Sequence, residues 1–430
     1  MASSLRASTQ GLEIVDRARK HKGWSRQACA WYETAHTSLA TLKHFLQGKP
    51  VQQETFINIC QAVGVKHWQE IVDSTNGCIP LSPPKPVTDW GEAPDVSVFY
   101  GRHEELTTLE QWIVSDRCRL IALLGMPGIG KTALCVKLVE QIQDDFEYVI
   151  WRSLRHAPFL NDLLSNLIQF LSPVPKTDLP EDTDGRISRL LENLRSHRCL
   201  LILDNVKAIL RSGELAGHYR EGYEGYGELL KRLGEERHQS CLVLIGREKP
   251  REIALLEGND SPVRALQLIG LKNFEAREIL ISKGLSGEDK WETLIQLYRG
   301  NPLALKLIST TIQELFNGSV SQFIQYPTLV IGGLSNILEQ HFERLSNSEK
   351  EVTYCLAIKR EPISILKLQD NISSPLSQSE LMEVLESLLR RSLIEKTRNE
   401  DEDESEVLFT LQPVVMKYIT KYQLPPDLRP

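Results

Sequence analysis

The stretch Leu120-Ile121-Ala122-Leu123-Leu124-Gly125-Met126-Pro127-Gly128-Ile129-Gly130-Lys131-Thr132 decides the fold, together with the Ala133-Leu134-Cys135-Val136-Lys137-Leu138 that follows. Its apolar opening reads as a strand buried on both faces, and the residues after Thr132 have helical spacing. Between them lies GxxxxGK[ST] in full. The glycines let backbone N–H groups converge on a phosphate without side-chain obstruction, and the N-terminus of the next helix adds its positive dipole end. Lys131 is expected to bridge β- and γ-phosphates, and Thr132 to give Mg²⁺ a hydroxyl ligand. The expected contacts along this loop are Gly125, Gly128, Ile129, Gly130, Lys131, Thr132 and Ala133. A glycine-rich turn with no ligand is the plainer alternative, and the strand before and helix after weigh against it.

Working outward, apolar runs at 148–153, 199–203, 241–245 and 265–269 alternate with helical stretches, which describes a parallel sheet covered on both faces. The run 199–203 ends in Asp204, the expected second magnesium ligand. Its neighbour Asn205 can orient a water but cannot accept its proton, which predicts slow turnover. The run 241–245 ends at Gly246-Arg247, and this guanidinium is expected to contact the γ-phosphate at the carboxyl edge of the sheet. In Gly300-Asn301-Pro302-Leu303-Ala304-Leu305, Asn301 reads as a helix cap with Pro302 in the first turn; Pro302 packing on a purine is the alternative.

From Lys272 onward helices dominate. Leu381, Val384, Leu385, Leu388 and Leu389 keep the spacing of a half-buried helix. The segments RSLIEK and VLFTLQ flank an acidic run, Glu400 to Glu404, and predict a hairpin with a charged tip. Helices followed by a hairpin suggest a winged helix at about 335–425, its acidic tip ill suited to DNA.

Residues 9–73 read as four helices, with Gly23 ending the first, Ser25 capping the second and Thr37 the third, and Gln53 to Val63 forming the fourth. Nine Lys/Arg against six Asp/Glu over residues 6–73 make this part locally basic. Leu39, Leu42 and Leu46 would pack inward, leaving Ser38, Thr41, His44 and Gln47 for a major groove and Lys43 and Lys49 for phosphates. A helical adaptor for a protein partner is the competing reading, and Trp24, Trp31 and Phe45 are read as core. Residues 76–97 hold five prolines and two glycines, which forbid helix or central strand and predict a linker.

The chain of 430 residues is 41% hydrophobic and 25% charged, a globular composition with room for several domains. A net charge of −7 gives no protein-wide field for nucleic acid or acidic lipid. No apolar run approaches a membrane span and the first residues lack a signal peptide's apolar core, so a cytoplasmic location without membrane contact is expected. The eight cysteines show no CxxC and read as reduced core residues.

Taken together these motifs resemble the NB-ARC group of STAND nucleotide switches, over about residues 95–425. Phe99-Tyr100-Gly101-Arg102 is similar to the hydrophobic-Gly-Arg segment ahead of the P-loop, GMPGIGKT to Walker A, LLILDN to Walker B, GREKP to the sensor-arginine segment and GNPLAL to the GLPLA motif. The resemblance implies an α/β P-loop NTPase domain with a parallel sheet, an all-α helical domain and a winged-helix domain, here behind an N-terminal all-α domain. The implied boundaries are 1–75, a linker 76–97, 98–270, 271–334 and 335–430. It implies ATP or ADP with Mg, an adenine contact at Pro302, and cofactor contacts at Phe99, Tyr100 and Arg102. It also implies domain closure over ADP and homo-oligomers when ATP is bound. In FTLQPVVMKYI, Gln412 stands where the family's ADP-sensing His is usual. No repeat array is found, so a separate sensor polypeptide is the expected partner, or the chain is a fragment. A nucleotide-responsive, DNA-binding transcription regulator acting through residues 9–73 is the alternative function, and a small-molecule kinase a third.

Overall fold

The computed structural model describes residues 4–26, 28–65, 67–73, 86–172, 179–326, 332–372, 376–398 and 406–424. The chain forms two compact units, 1–85 and 86–430.

The first unit holds β1 (Ser4–Leu5), α1 (Thr9–His21), α2 (Cys29–Thr34), α3 (Leu39–Leu46), β2 (Val51–Gln52) and α4 (Gln53–Ala62). The expected helices are present, with two corrections. Ser38, rather than Thr37, caps α3 by accepting from the Thr41 N–H. α2 starts only after Ala28, whose extended backbone delays it, so Ser25 is not its cap. Trp31, Leu42, Phe45, Phe56 and Ile59 close the core, and the buried Trp31 indole donates to the Ile59 carbonyl at 3.2 Å, which offsets the loss of water. Trp24 is half-buried at the edge of that core.

The second unit begins with β3 (Val87–Asp89), α5 (His103–Glu110), β4 (Leu120–Gly125), α6 (Lys131–Ile142), β5 (Tyr148–Ser153), α7 (Leu160–Leu171), α8 (Thr183–Ser196), β6 (Cys199–Asp204), α9 (Gly225–Glu235), β7 (Cys241–Ile245), α10 (Arg251–Leu256) and β8 (Val263–Leu268). All six strands run parallel, in the order β3-β5-β6-β7-β4-β8. Every residue of β4, β6 and β7 is buried, which is why their sequences are unbroken apolar runs. Leu134 and Leu138 cover one face with Ile202 and Val243, while Leu163, Leu190 and Leu230 cover the other with Leu201. Because the strands are parallel, Gly125, Asp204 and Gly246 leave the sheet at the same edge.

The linker expected over 76–97 is corrected by β3. Val87–Asp89 pairs with Tyr148–Ile150 of β5, and Trp90 stacks on Trp151 with ring centroids 6.5 Å apart. The prolines exclude a central strand but not an edge strand, which needs partners on one side only. Residues 76–85 of that stretch lie outside the described residues.

There follow α11 (Asn273–Ser282), α12 (Trp291–Leu297), α13 (Pro302–Phe316), α14 (Val320–Ile324), α15 (Gly332–Phe342), α16 (Asn347–Lys359), β9 (Ile363–Ser364), α17 (Ile365–Asn371), α18 (Gln378–Arg390), β10 (Ile394–Arg398), β11 (Val407–Leu411) and α19 (Pro413–Tyr418). α18 buries Leu381, Val384, Leu385 and Leu388 as its period predicts, with Leu389 only half-buried and Ser387 buried instead. β10 and β11 form the expected hairpin from Ile394 opposite Leu411 to Arg398 opposite Val407, and β9 joins the far side of β11. The acidic tip at 400–404 lies outside the described residues. Six of the cysteines are buried and Cys29 is exposed, which corrects the all-core reading, and Cys78 is not among the described residues. No helix among the described residues is long and apolar enough to cross a membrane.

Candidate nucleotide-binding site

The loop from β4 to α6 turns on Gly125 (φ 146°), Gly128 (φ 74°) and Gly130 (φ 99°), backbone states in which a side chain would be strained. Gly130 is the N-cap of α6, so the first N–H groups of a helix twelve residues long face the carboxyl edge of the sheet. Lys131 is buried, and its Nζ donates to the carbonyl oxygens of Gly125 and Met126, each at 2.9 Å. As an ammonium group it keeps a third proton for a phosphate oxygen.

Thr132 Oγ1 donates to Asp204 Oδ2 at 3.2 Å, and the Asn205 N–H donates to Asp204 Oδ1 at 2.7 Å. Neighbouring corners of an octahedron with ligands at 2.0–2.1 Å lie about 3 Å apart, so this oxygen pair fits two adjacent magnesium ligands. Burial pushes the Asp204 carboxyl up, against its backbone and Thr132 hydrogen bonds and the Lys131 charge. Burial also lowers Lys131 to about 7, helped by the Arg247 charge and opposed by Asp204.

Lys131, Thr132, Asp204, Asn205 and Arg247 line one cavity of 290 Å³. Lys207 lines it too, a residue the sequence reading did not single out; its signal was a lysine three positions past the Walker B aspartate. Three cations against one carboxylate, all partly withdrawn from water, make a polyanion the favourable occupant. Among the described residues Arg247 has no hydrogen-bond or ion-pair partner, and burial lowers its pKa.

A second cavity, of 160 Å³, borders the first and shares Gly128, Gly130, Ala133 and Leu303 with it. Phe99, Tyr100, Ile129 and Pro302 line it, with Lys306 over the Tyr100 ring at 5.6 Å. Asn301 caps α13 by accepting from the Leu303 and Ala304 N–H groups, while its Nδ2 donates to the Pro127 carbonyl at 3.0 Å. Pro302 sits in the first turn of a capped helix, as its motif predicts, and also lines this cavity. Arg102 borders this cavity as well, yet its guanidinium is committed to Glu105 and to the carbonyls of Ile129 (3.1 Å) and Ile269 (2.7 Å). That geometry makes it a holder of the loop rather than a phosphate cation. Gln412 lies elsewhere, in a 400 Å³ cavity behind the loop that Met126, Pro127, Arg299 and Glu395 also line.

Residues 102–211 match the NB-ARC domain. The matched segment is an NB-ARC domain. The chain is 44% identical to an uncharacterized WD repeat-containing protein of Nostoc sp., over 98% of its own length and 36% of that protein's. A disease resistance-like protein of Arabidopsis thaliana is 25% identical over 58% of the chain and 20% of its own length. The chain thus spans about a third and a fifth of these curated relatives. Among solved structures a Walker-type ATPase of Pyrococcus abyssi shares the fold, with a TM-score of 0.51 and 14% identity, covering 75% of this chain and 96% of that one. The NB-ARC match over residues 102–211 implies nucleotide binding.

Proposed function

We propose that this chain is an ATP/ADP-binding signal-transduction switch whose nucleotide state governs how its C-terminal helical elements pack on the parallel-sheet domain. The observation that carries the reading is the pair of adjoining cavities, one lined by Pro302 and the other by Arg247. Together they have a base-sized apolar end, a glycine loop in the middle, and a cationic end holding the Thr132–Asp204 oxygen pair. Phe99, Tyr100 and Pro302 would hold adenine, Gly125 to Ala133 the phosphates, and Thr132 with Asp204 the magnesium. That ion would draw electron density from the β- and γ-phosphate oxygens.

Lys131 and Lys207 would neutralise phosphate charge, and Arg247 would register whether a terminal phosphate is present. Asn205 orients water without accepting its proton, so hydrolysis is slow and the bound state is long-lived. The divisions 98–270, 271–334 and 335–430 are the bodies that rearrange, with the last as a winged-helix lid. The N-terminal helices are the effector or adaptor module, and the signal arrives through a partner protein. Exposed Lys43, His44, Gln47 and Lys49 on and after α3 keep a DNA contact in play as a second reading.

Mass spectrometry of the nucleotide retained through purification tests this reading. ADP in near-stoichiometric amount supports it; folded protein that retains no nucleotide and takes none up counts against it.

A further inference from the structure

Glu248 follows Arg247 directly in the chain and is 2% exposed. Two arginines from the C-terminal elements converge on it. Arg344, just past α15, donates Nε and Nη2 to Glu248 Oε2 at 3.2 and 2.9 Å. Arg391, at the end of α18 and fully buried, brings Nη1 within 2.8 Å of Glu248 Oε1, an ion pair without hydrogen-bond geometry.

Arg391 also donates Nε to Glu349 Oε1 at 2.9 Å and Nη2 to the Glu214 carbonyl at 2.6 Å. Glu349 is itself fully buried, accepts the Ser387 hydroxyl at 2.6 Å, and closes the capping box of α16. Backbone bonds flank the cluster: Gly213 N–H to the Arg344 carbonyl at 2.9 Å, and Lys249 N–H to the Arg390 carbonyl at 3.3 Å.

The cluster is two arginines and two carboxylates, neutral as a set and costly in part. Removing one carboxylate strands an arginine charge away from water, whereas parting the two sides hydrates all four groups together. Such a contact is made or broken as a whole, the behaviour of a bistable interface. The turn carrying it is tight. A Cβ on Gly246 would stand 2.4 Å from Val206 Cγ1 and 3.2 Å from the Glu248 carbonyl oxygen, so the 246–248 backbone has little room to flex independently of the segment after Asp204.

We propose that Glu248 is an autoinhibitory latch: it holds the C-terminal elements through Arg344 and Arg391, and is released when a terminal phosphate draws Arg247 toward it. Arg247 faces the phosphate cavity and Glu248 the arginine pair, so one short turn faces both the ligand and the lid. A pull on the first residue shifts the second against partners that tolerate no partial separation. Nucleotide-dependent packing of the C-terminal elements thereby gains a named contact, and the inference rests on the nucleotide reading of the phosphate cavity.

The test uses the 430-residue chain as wild type, Glu248→Gln, Arg344→Ala and Arg344→Lys. Each is loaded with fluorescent mant-ADP and Mg²⁺, chased with unlabelled ADP, and measured in parallel by small-angle X-ray scattering, with circular dichroism to establish folding. Release about tenfold faster than wild type in Glu248→Gln and Arg344→Ala, with a larger radius of gyration and partial recovery in Arg344→Lys, is expected. Folded variants whose release stays within about twofold of wild type, with unchanged scattering, overturn the latch. Should Glu248→Gln not fold, Arg344→Ala at the rim of the cluster decides alone. If wild type takes up no mant-ADP the nucleotide reading fails instead, and the scattering comparison still decides whether the contact holds the elements together.

Discussion

Leu303 rests on Gly128. Its N–H donates to the Gly128 carbonyl at 3.3 Å, and a Cβ added at Gly128 would stand 2.6 Å from the Leu303 Cβ. The start of α13 is thus the roof of the glycine loop, bringing together segments far apart in sequence.

Gly128→Ala should therefore displace that roof and strain a backbone at φ 74°. A loss of about 1–3 kcal/mol in stability is expected, with ADP affinity down by roughly tenfold. Thermal denaturation and calorimetric titration measure the two effects. Wild-type values for both would mean the roof can lift at no cost.

Lys207 lines the cavity beside the glycine loop, three positions past Asp204. Lys207→Met should weaken ATP binding about tenfold at low salt and less at high salt, because the lost term is partly screened Coulomb attraction. Fluorescence titration with mant-ATP at two ionic strengths reads this out; equal affinity at both salts would place the ammonium group outside the ligand's reach.

Asn205 holds a left-handed backbone (φ 66°), a state that Asp also tolerates. Asn205→Asp should raise steady-state phosphate release if a base is what the site lacks. An unchanged rate would assign the slow step to opening or product release.

His341 on α15 is buried, and neither ring nitrogen has a hydrogen-bond partner among the described residues. Burial first, then the charges of Arg247, Arg391, Arg344 and Lys131, holds its pKa well below 6.5. The unfolded chain binds this proton more readily, so the stabilisation from keeping the ring neutral is complete above the unfolded pKa and is lost as pH falls through it. Stability should thus rise from pH 5 to 7, and His341→Phe should flatten that rise. Denaturant titrations at both pH values compare the slopes; an identical slope in the variant would assign the effect to other groups, among them His238, whose pKa burial also lowers.

Much of the site was legible because its parts are local. A glycine loop between a strand and a helix, an aspartate ending an apolar run, and an asparagine cap before proline are each decided within a few residues. The groove joining Phe99 and Pro302 was expected only through family resemblance, since no local rule brings residues so distant into one cavity. Lys207 was missed for a different reason: a lone lysine on a turn looks solvated until the packing around it is known. Arg102 enters as a cofactor contact only through family resemblance; it lines the cavity, with its guanidinium held by two carbonyls and Glu105. The edge strand β3 escaped because prolines exclude only the central position in a sheet. The Glu248–Arg344–Arg391–Glu349 cluster left no signal, each member resembling an ordinary surface charge until the fold buries it.

The central claim is that an adenine nucleotide is held between Pro302 and Arg247 with Lys131 on its phosphates. Isothermal titration of ADP and ATP, in magnesium, into folded wild type stripped of nucleotide and into Lys131→Ala tests it most directly. Saturable heat at one site per chain in the wild type, abolished in the variant, is the predicted result. Absence of heat from the wild type, or equal affinity in Lys131→Ala, would contradict it.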